Sequence, residues 1–319
     1  MIKQPRLKVV TYGGRIGWVL RKKFSWITSD LYLLWQYFIR KKLYKKYIVF
    51  FNRERKESNI ILPCLISIET INRCNSSCAF CPANRNSESR PFRKMDQELF
   101  IKIIDELKSI EYDGYLNLYV NNEPFIDKRI EDWYIYAHKQ LPKAKMLLYT
   151  NGTLLTKERF KKIIPVIDKC IINNYSESLL VHKNLKEIVK LVEENKEYWE
   201  KDITIQIRYI NEILTNRAGS APNKSKGKIN HMVCVMPYTD FTIYPDGTVG
   251  LCCSDALEET NLGNLKCSTF MEIWSSNEYQ AIRNVIGENR ANYEFCKGCD
   301  FVDAGIRNGF IKRQLIRRK

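Results

Sequence analysis

Histidine is scarce in this sequence. The 319 residues include only His138, His182 and His231. A metal site built from several imidazoles, or a nucleophilic triad with histidine as its base, is therefore not expected. The chemistry of the chain must rest on other side chains.

A long uninterrupted apolar run is also absent. Lys23, Asp30 and Arg40 break the only extended apolar stretch before it reaches the ~20 residues of a membrane span. Residues 1–15 alternate charged and apolar side chains and so lack the pattern of a cleavable signal. We therefore expect a cytoplasmic protein. With 45% hydrophobic residues, the chain is not expected to be disordered or fibrous.

Positive charge is concentrated at the two ends. Residues 1–60 hold 15 basic and 3 acidic side chains, residues 304–319 hold 6 basic and none acidic, and the remainder holds 31 basic and 33 acidic. A groove that follows nucleic acid would place its charge on the folded body. No nucleic-acid partner is therefore expected.

The first 60 residues combine tryptophans with basic clusters. Trp18, Trp26 and Trp35 alternate with clusters such as residues 21–23. The pattern predicts an appended helical segment over residues 1–60. Residues 1–50 suit peripheral contact with an anionic membrane surface. A helix packed across the body with its basic residues exposed fits the pattern equally well.

Beyond Cys64, short strand-like runs alternate with helical periods, which is typical of parallel βα units. The predicted strands are Leu65 to Glu69, Tyr115 to Val120, Lys145 to Tyr149, Lys169 to Ile172 and Ile203 to Tyr209. A polar, glycine-containing stretch over residues 211–228 predicts a boundary. After it we expect a hairpin, Phe241 to Tyr244 and Thr248 to Leu251, and a helix over Thr269 to Ile286. The predicted units are residues 1–60, 61–227, 228–303 and a basic tail, 304–319.

Eleven cysteines in a reducing compartment are more often metal ligands or buried thiols than disulfides. Cys74, Cys78 and Cys81 form a CxxxCxxC loop directly after the first predicted barrel strand. Three thiolates at this spacing can hold three irons of a 4Fe-4S cluster and leave the fourth iron open. The alternative is a zinc loop, although structural zinc usually takes four ligands.

Two further motifs follow the second and third barrel strands. They are Asn121-Asn122-Glu123-Pro124 and Thr150-Asn151-Gly152. Together with the cysteine loop they resemble the radical S-adenosylmethionine (SAM) superfamily. Glu123 and Pro124 match its Gly-Gly-Glu-Pro motif, whereas two asparagines replace the glycines. All three motifs lie at strand ends, where βα barrels form their active sites.

The resemblance implies an α/β fold, a partial (β/α)6 TIM-like barrel, whose open iron is chelated by SAM. Cleavage of SAM then yields a 5′-deoxyadenosyl radical, with a flavodoxin or ferredoxin as electron donor. Many relatives have serine at the position of Asn173, and Arg208 could instead form a structural ion pair. The residues that the resemblance assigns to SAM binding are Phe80, Asn122, Glu123, Pro124, Thr150, Asn151, Asn173 and Arg208.

The C-terminal cysteines resemble the SPASM and shorter twitch modules of radical SAM enzymes, small α+β units that bind auxiliary 4Fe-4S clusters. The resemblance implies one auxiliary cluster, because no cysteine follows Cys299. Cys253 could replace Cys252 as a ligand, and a four-cysteine zinc site is the alternative. The implied ligands are Cys234, Cys252, Cys296 and Cys299.

Modules with one auxiliary cluster resemble those of enzymes that act on carbohydrates or aminocyclitols. The resemblance therefore implies a radical SAM oxidoreductase that oxidises a hydroxyl-bearing carbon of a sugar-like substrate, which could be lipid-linked. Epimerisation is an alternative outcome, with Cys253 as the catalytic residue that returns a hydrogen atom. A peptide-modifying maturase is the alternative function, although many such relatives carry a seven-cysteine module.

Overall fold

One eight-stranded sheet organises the chain in a computed structural model that describes residues 6–11, 38, 40–302 and 305–316. The strand order is β1-β6-β5-β4-β3-β2-β7-β8, and all neighbours are parallel except β7 and β8. The strands are β1 (Leu7–Thr11), β2 (Leu65–Ile68), β3 (Tyr115–Asn117), β4 (Lys145–Thr150), β5 (Lys169–Ser176), β6 (Asp202–Tyr209), β7 (Asp240–Ile243) and β8 (Val249–Gly250).

Helices cover the outer face of the sheet and build the C-terminal part of the fold. They are α1 (residues 40–56), α2 (Gln97–Ser109), α3 (Ile130–Gln140), α4 (Lys157–Ile163), α5 (Lys183–Glu194), α6 (Met236–Thr239), α7 (Phe270–Trp274), α8 (Asn277–Glu288) and α9 (Gly305–Ile316). In α5, Leu185, Ile188 and Val192 are buried at helical spacing and join the main core. The connecting helices therefore hold the strands parallel, with their carboxyl ends at one edge.

The partial barrel predicted from the sequence is confirmed, because β2 to β6 form in order as parallel strands. Strand β5 runs beyond its predicted end at Ile172 because Asn173–Ser176 continue to pair with β6. The helix predicted over residues 269–286 breaks, since Ser276 accepts a bond from the Tyr279 amide and caps a new helix.

The hairpin strand β7 pairs with β2, so the sheet continues from the barrel into the C-terminal part. The last helix, α9, contacts strand β7 through an ion pair. The guanidinium of Arg307 on α9 is paired with the buried carboxylate of Asp240 on β7. Ile306 packs against a separate apolar cluster of Leu65, Leu147 and Ile171. The last helix therefore contacts both the barrel and the hairpin.

The N-terminal segment contains a strand as well as a helix. Within the segment predicted to be helical, Leu7–Thr11 pair with β6 and extend the sheet. Helix α1 packs on the C-terminal part, where Phe51 meets Trp274 edge to face. Trp18, Trp26 and Trp35 lie outside the described residues. Among the helices described, none is both long and apolar enough to cross a membrane.

Candidate active site

The CxxxCxxC loop leaves the carboxyl end of β2 and is fixed by backbone contacts. The Asn84 side-chain amide donates to the carbonyls of Cys78 (3.1 Å) and Cys81 (2.6 Å), and the Ala79 backbone amide donates to the carbonyl of Ile210 beyond β6. These bonds hold the loop across the open edge of the barrel. Cys78 is buried, and Cys74 and Cys81 are partly buried.

The three thiols of this loop lie close enough to affect one another. Burial raises the pKa of Cys74 to about 12 and that of Cys78 to about 11, and the nearby Cys81 contributes to both increases. A positively charged iron cluster would favour the thiolate forms and offset this cost. No group of three or more His, Cys, Asp or Glu side chains in the described part of the chain could hold a single metal ion as placed.

Glu123 fastens the turn after β3 to the end of β4. Its carboxylate accepts bonds from the Thr150 hydroxyl (2.7 Å), the Asn151 amide (2.7 Å) and the Phe125 amide (3.2 Å). Burial raises the pKa of Glu123 to about 7, against the lowering effect of these donors. Pro124 follows in the first turn of a 3-10 helix. Two predicted SAM motifs are thus joined through one carboxylate.

The remaining predicted SAM residues are arranged around the same edge. The Asn122 side chain accepts from the Val120 amide and closes the turn. The Phe80 ring lies 5.2 Å from that of Tyr175. Asn173 is partly buried on β5, whereas Arg208 forms an ion pair with Glu212 at 2.9 Å.

A buried cation that sequence reasoning missed, Arg290, lies near the four predicted auxiliary ligands. The Arg290 guanidinium donates to the carbonyls of Met232, Val233, Cys299 and Phe301. Burial lowers its pKa, but the nearby cysteines, first among them Cys234, outweigh that effect and raise it overall. A fixed positive charge beside four thiolates suits an iron-sulfur cluster. No spacing or motif in the sequence marks Arg290.

The adjacent Cys252 and Cys253 face different surroundings. Burial raises the pKa of Cys252, and Cys253 and the other three predicted auxiliary ligands raise it further. Burial also raises the pKa of Cys253, but there Arg217 and Arg307 act in the opposite direction. All three other predicted auxiliary ligands thus act on Cys252, whereas Cys253 is acted on by two arginines and by Cys299.

Arg217 lies near Cys81 of the first cysteine group and contacts Cys253, which is next to Cys252 of the second group. One guanidinium nitrogen donates to the Asn121 side-chain oxygen (3.2 Å) and to the Cys253 carbonyl (2.9 Å). Arg217 has a φ of 50° and Ala218 a φ of 56°. Two successive non-glycine residues in the left-handed region are strained, which is a recurrent feature of functional sites. Arg217 lies in the polar stretch over residues 211–228, which the sequence predicted only as a boundary.

Several buried polar side-chain atoms on β3, in the turn after it and next to Cys253 in the chain lack a hydrogen-bond partner. Asn117 donates to Ser67 (3.0 Å), but its oxygen is unpaired. The side-chain nitrogen of Asn121 and the hydroxyl of Ser254 are also unpaired. Unpaired buried polar atoms are costly and are usually satisfied by a ligand or by water. The site therefore presents both donors and acceptors to a polar molecule.

Comparison with known families accounts for both cysteine groups. A model of the radical SAM superfamily matches residues 68–173, and a model of the SPASM iron-sulfur cluster-binding domain matches residues 234–300. The chain is a radical SAM enzyme with a C-terminal SPASM domain. These matches confirm the predicted cofactors, two 4Fe-4S clusters and SAM.

The chain is also similar to individual proteins. It is 24% identical over 240 residues to the S-adenosyl-L-methionine-dependent 2-deoxy-scyllo-inosamine dehydrogenase of Niallia circulans, covering 75% of this chain and 93% of the relative. In fold it resembles BtrN in complex with AdoMet and 2-DOIA, with a TM-score of 0.66, 22% identity and coverage of 76% of this chain and 94% of that one. An open conformation of BtrN gives a TM-score of 0.57 at 20% identity, with the same coverage of both chains.

Proposed function

We propose that this radical SAM enzyme oxidises a hydroxyl-bearing carbon of a sugar-like or aminocyclitol substrate to a carbonyl. The relative of this chain is by name a dehydrogenase of 2-deoxy-scyllo-inosamine. When bound, the cofactors supply a 5′-deoxyadenosyl radical that removes one hydrogen atom and an auxiliary cluster that accepts one electron. The hydroxyl proton is released. The substrate therefore loses two hydrogens and two electrons: one electron leaves with the hydrogen atom, and the other passes to the auxiliary cluster.

The observation that carries this proposal is the position of Arg217 between Asn121 and the carbonyl of Cys253. Burial lowers the pKa of Arg217, but the neighbouring Cys81 thiol and Tyr119 hydroxyl outweigh it, so that its pKa is raised. Arg217 is therefore a permanent cation and a donor rather than a proton acceptor. A cation at this point would stabilise the negative charge that develops as a substrate hydroxyl loses its proton.

The ligands are part of the same proposal. Cys74, Cys78 and Cys81 would hold the SAM-binding cluster, and Cys234, Cys252, Cys296 and Cys299 would hold the auxiliary cluster. Four protein ligands close the auxiliary cluster to substrate and leave electron transfer as its role. The contacts of Glu123 support a role in shaping the SAM pocket, because both its oxygens are used in bonds to neighbouring residues. A flavodoxin or ferredoxin is the proposed electron donor.

Anaerobic turnover of 2-deoxy-scyllo-inosamine in deuterated water tests the reaction outcome. Oxidation predicts a product two mass units lighter than the substrate, with no carbon-bound deuterium. Epimerisation predicts an isomer that carries one deuterium and is lost in Cys253→Ala, because a solvent-exchanged thiol would return the hydrogen atom. That isomer as the main product would overturn the proposed oxidation.

The second part of the proposal is that residues 1–50 bring the enzyme to an anionic membrane surface. Lys42, Lys45 and Lys46 are exposed on α1, and the nearby Phe38 and Val49 are 68% and 70% exposed. Exposed apolar side chains among lysines suit the interface of an anionic bilayer. A lipid-linked saccharide would then be an accessible substrate.

Sedimentation with vesicles containing phosphatidylserine tests the membrane contact at moderate salt. The wild-type chain is expected to sediment with these vesicles more than with neutral ones. A variant with glutamine at Lys42, Lys45 and Lys46 should sediment less, because each basic residue near an anionic surface contributes about 1 kcal/mol. Equal sedimentation of the wild type and this variant would argue against the contact.

A further inference from the structure

A buried ion cluster links the SPASM domain to the turn that carries Asn121. Arg90 pairs with Glu69 at 2.9 Å, with Glu88 at 2.8 Å and with Glu258 at 3.0 Å. The side chains of all four residues are at most 9% exposed. Glu69 directly follows β2, Glu88 follows the CxxxCxxC loop, and Glu258 belongs to the SPASM domain. Arg90 thus joins three parts of the molecule that each border the active site.

The cluster continues through Glu69 to Arg217. The Glu69 carboxylate accepts a bond from the Asn121 amide at 3.1 Å, and the Asn121 side chain accepts from Arg217 at 3.2 Å. Arg217 then donates to the Cys253 carbonyl, back in the SPASM domain. These contacts and the chain from Cys253 to Glu258 form a closed ring. The ring crosses between the barrel and the SPASM domain twice, at Glu258–Arg90 and at Arg217–Cys253. We refer to Glu258, Arg90, Glu69, Asn121 and Arg217 as the relay.

We propose that the other members of the relay hold the Arg217 guanidinium in the position that the reaction needs. Arg90, Glu69 and Glu258 are then positioning residues for Arg217. This inference rests on the proposed oxidation. Glu258 has a φ of 60°, a strained value for a non-glycine residue, and it pairs with both Arg90 and Arg93. If the link through Glu258 is lost, Arg217 and the SPASM domain are no longer held in register with Asn121. 5′-Deoxyadenosine would then still form, but less oxidised product would form for each molecule of it.

The geometry provides a matched control. Glu88 and Glu258 both pair with Arg90 and are similarly buried, but only Glu258 lies on the far side of the interface. Glu88 accepts two bonds from the Arg90 side chain, at 3.0 and 2.8 Å, within the same loop. Substituting either glutamate by glutamine removes one carboxylate from the same arginine. Only the Glu258 substitution weakens the ring.

The test is the ratio of oxidised product to 5′-deoxyadenosine with 2-deoxy-scyllo-inosamine as the probe. Glu258→Gln is expected to lower this ratio about tenfold, a typical size for coupling through a side-chain network. Glu88→Gln is expected to keep the wild-type ratio. Asn121→Ala breaks the ring at a second point and should reproduce the Glu258→Gln result. Iron content and the signal of the SAM-bound cluster should stay at wild-type level in Glu258→Gln and Glu88→Gln.

Two results overturn parts of this account and can be told apart. If Glu258→Gln and Asn121→Ala keep the wild-type ratio, or if Glu88→Gln lowers it as much, the relay does not position Arg217. If the wild-type chain forms 5′-deoxyadenosine but no oxidised product from any hydroxylated probe, the proposed oxidation itself fails and the inference falls with it.

Discussion

Replacing Cys74, Cys78 and Cys81 together by alanine should abolish SAM cleavage. The thiolates of these residues are the proposed anchors of the cluster that binds SAM, and no other cysteine lies on their loop. Iron should fall from about eight to about four atoms per chain, as expected for the loss of one of two 4Fe-4S clusters. Iron and sulfide analysis of anaerobically purified protein, with measurement of 5′-deoxyadenosine, checks both effects.

The control for this variant is Cys267→Ala, because Cys267 is exposed and belongs to neither proposed ligand set. It should keep full iron content and full SAM cleavage. If the triple variant retained all its iron, or if the wild-type chain contained zinc in place of iron at either group, the proposed ligand assignment would be wrong.

The second large effect is expected at Arg217. Arg217→Met removes both hydrogen bonds and the charge, and should lower product formation about 100-fold, which is typical for the loss of one donor to a developing oxyanion. Methionine retains most of the aliphatic length of arginine. It is also no better suited than arginine to a positive φ, so backbone strain is nearly unchanged. Rates of product and 5′-deoxyadenosine formation check this prediction.

Arg217→Lys separates charge from geometry. Lysine retains the cation, but its side chain is shorter, so its ammonium does not reach the position from which one guanidinium nitrogen of Arg217 donates to both acceptors. We therefore expect activity between those of wild type and Arg217→Met. Melting temperatures should be similar for the three proteins. If Arg217→Met oxidised the probe at the wild-type rate, Arg217 would have no part in the reaction.

The motifs at strand ends could be recognised from the sequence because each combines residue type, spacing and position. Cys74, Glu123 and Asn151 follow successive strands, and parallel strands bring their carboxyl ends together. The partial barrel could be predicted for the same reason, since alternating apolar runs and helical periods specify βα units. Strand Leu7–Thr11 was missed, because the many basic and aromatic residues around it suggested a helix.

Arg90, Arg290 and Glu258 could not be identified from the sequence. Each acts through partners far away along the chain, such as Glu258 and Arg90, which are 168 residues apart. A lone arginine or glutamate is most often a solvated surface residue, and no local pattern distinguishes a buried one. Their roles follow only from the way in which the SPASM domain extends the barrel sheet through β7 and β2.

The origin of the hydrogen atom transferred to 5′-deoxyadenosine tests the proposed oxidation most directly. The probe is 2-deoxy-scyllo-inosamine carrying deuterium at every hydroxyl-bearing carbon, incubated anaerobically with reduced enzyme and SAM in ordinary water. One deuterium in 5′-deoxyadenosine is expected for each molecule of ketone formed. Ketone formed with unlabelled 5′-deoxyadenosine, or an isomer of the probe in place of the ketone, would contradict it.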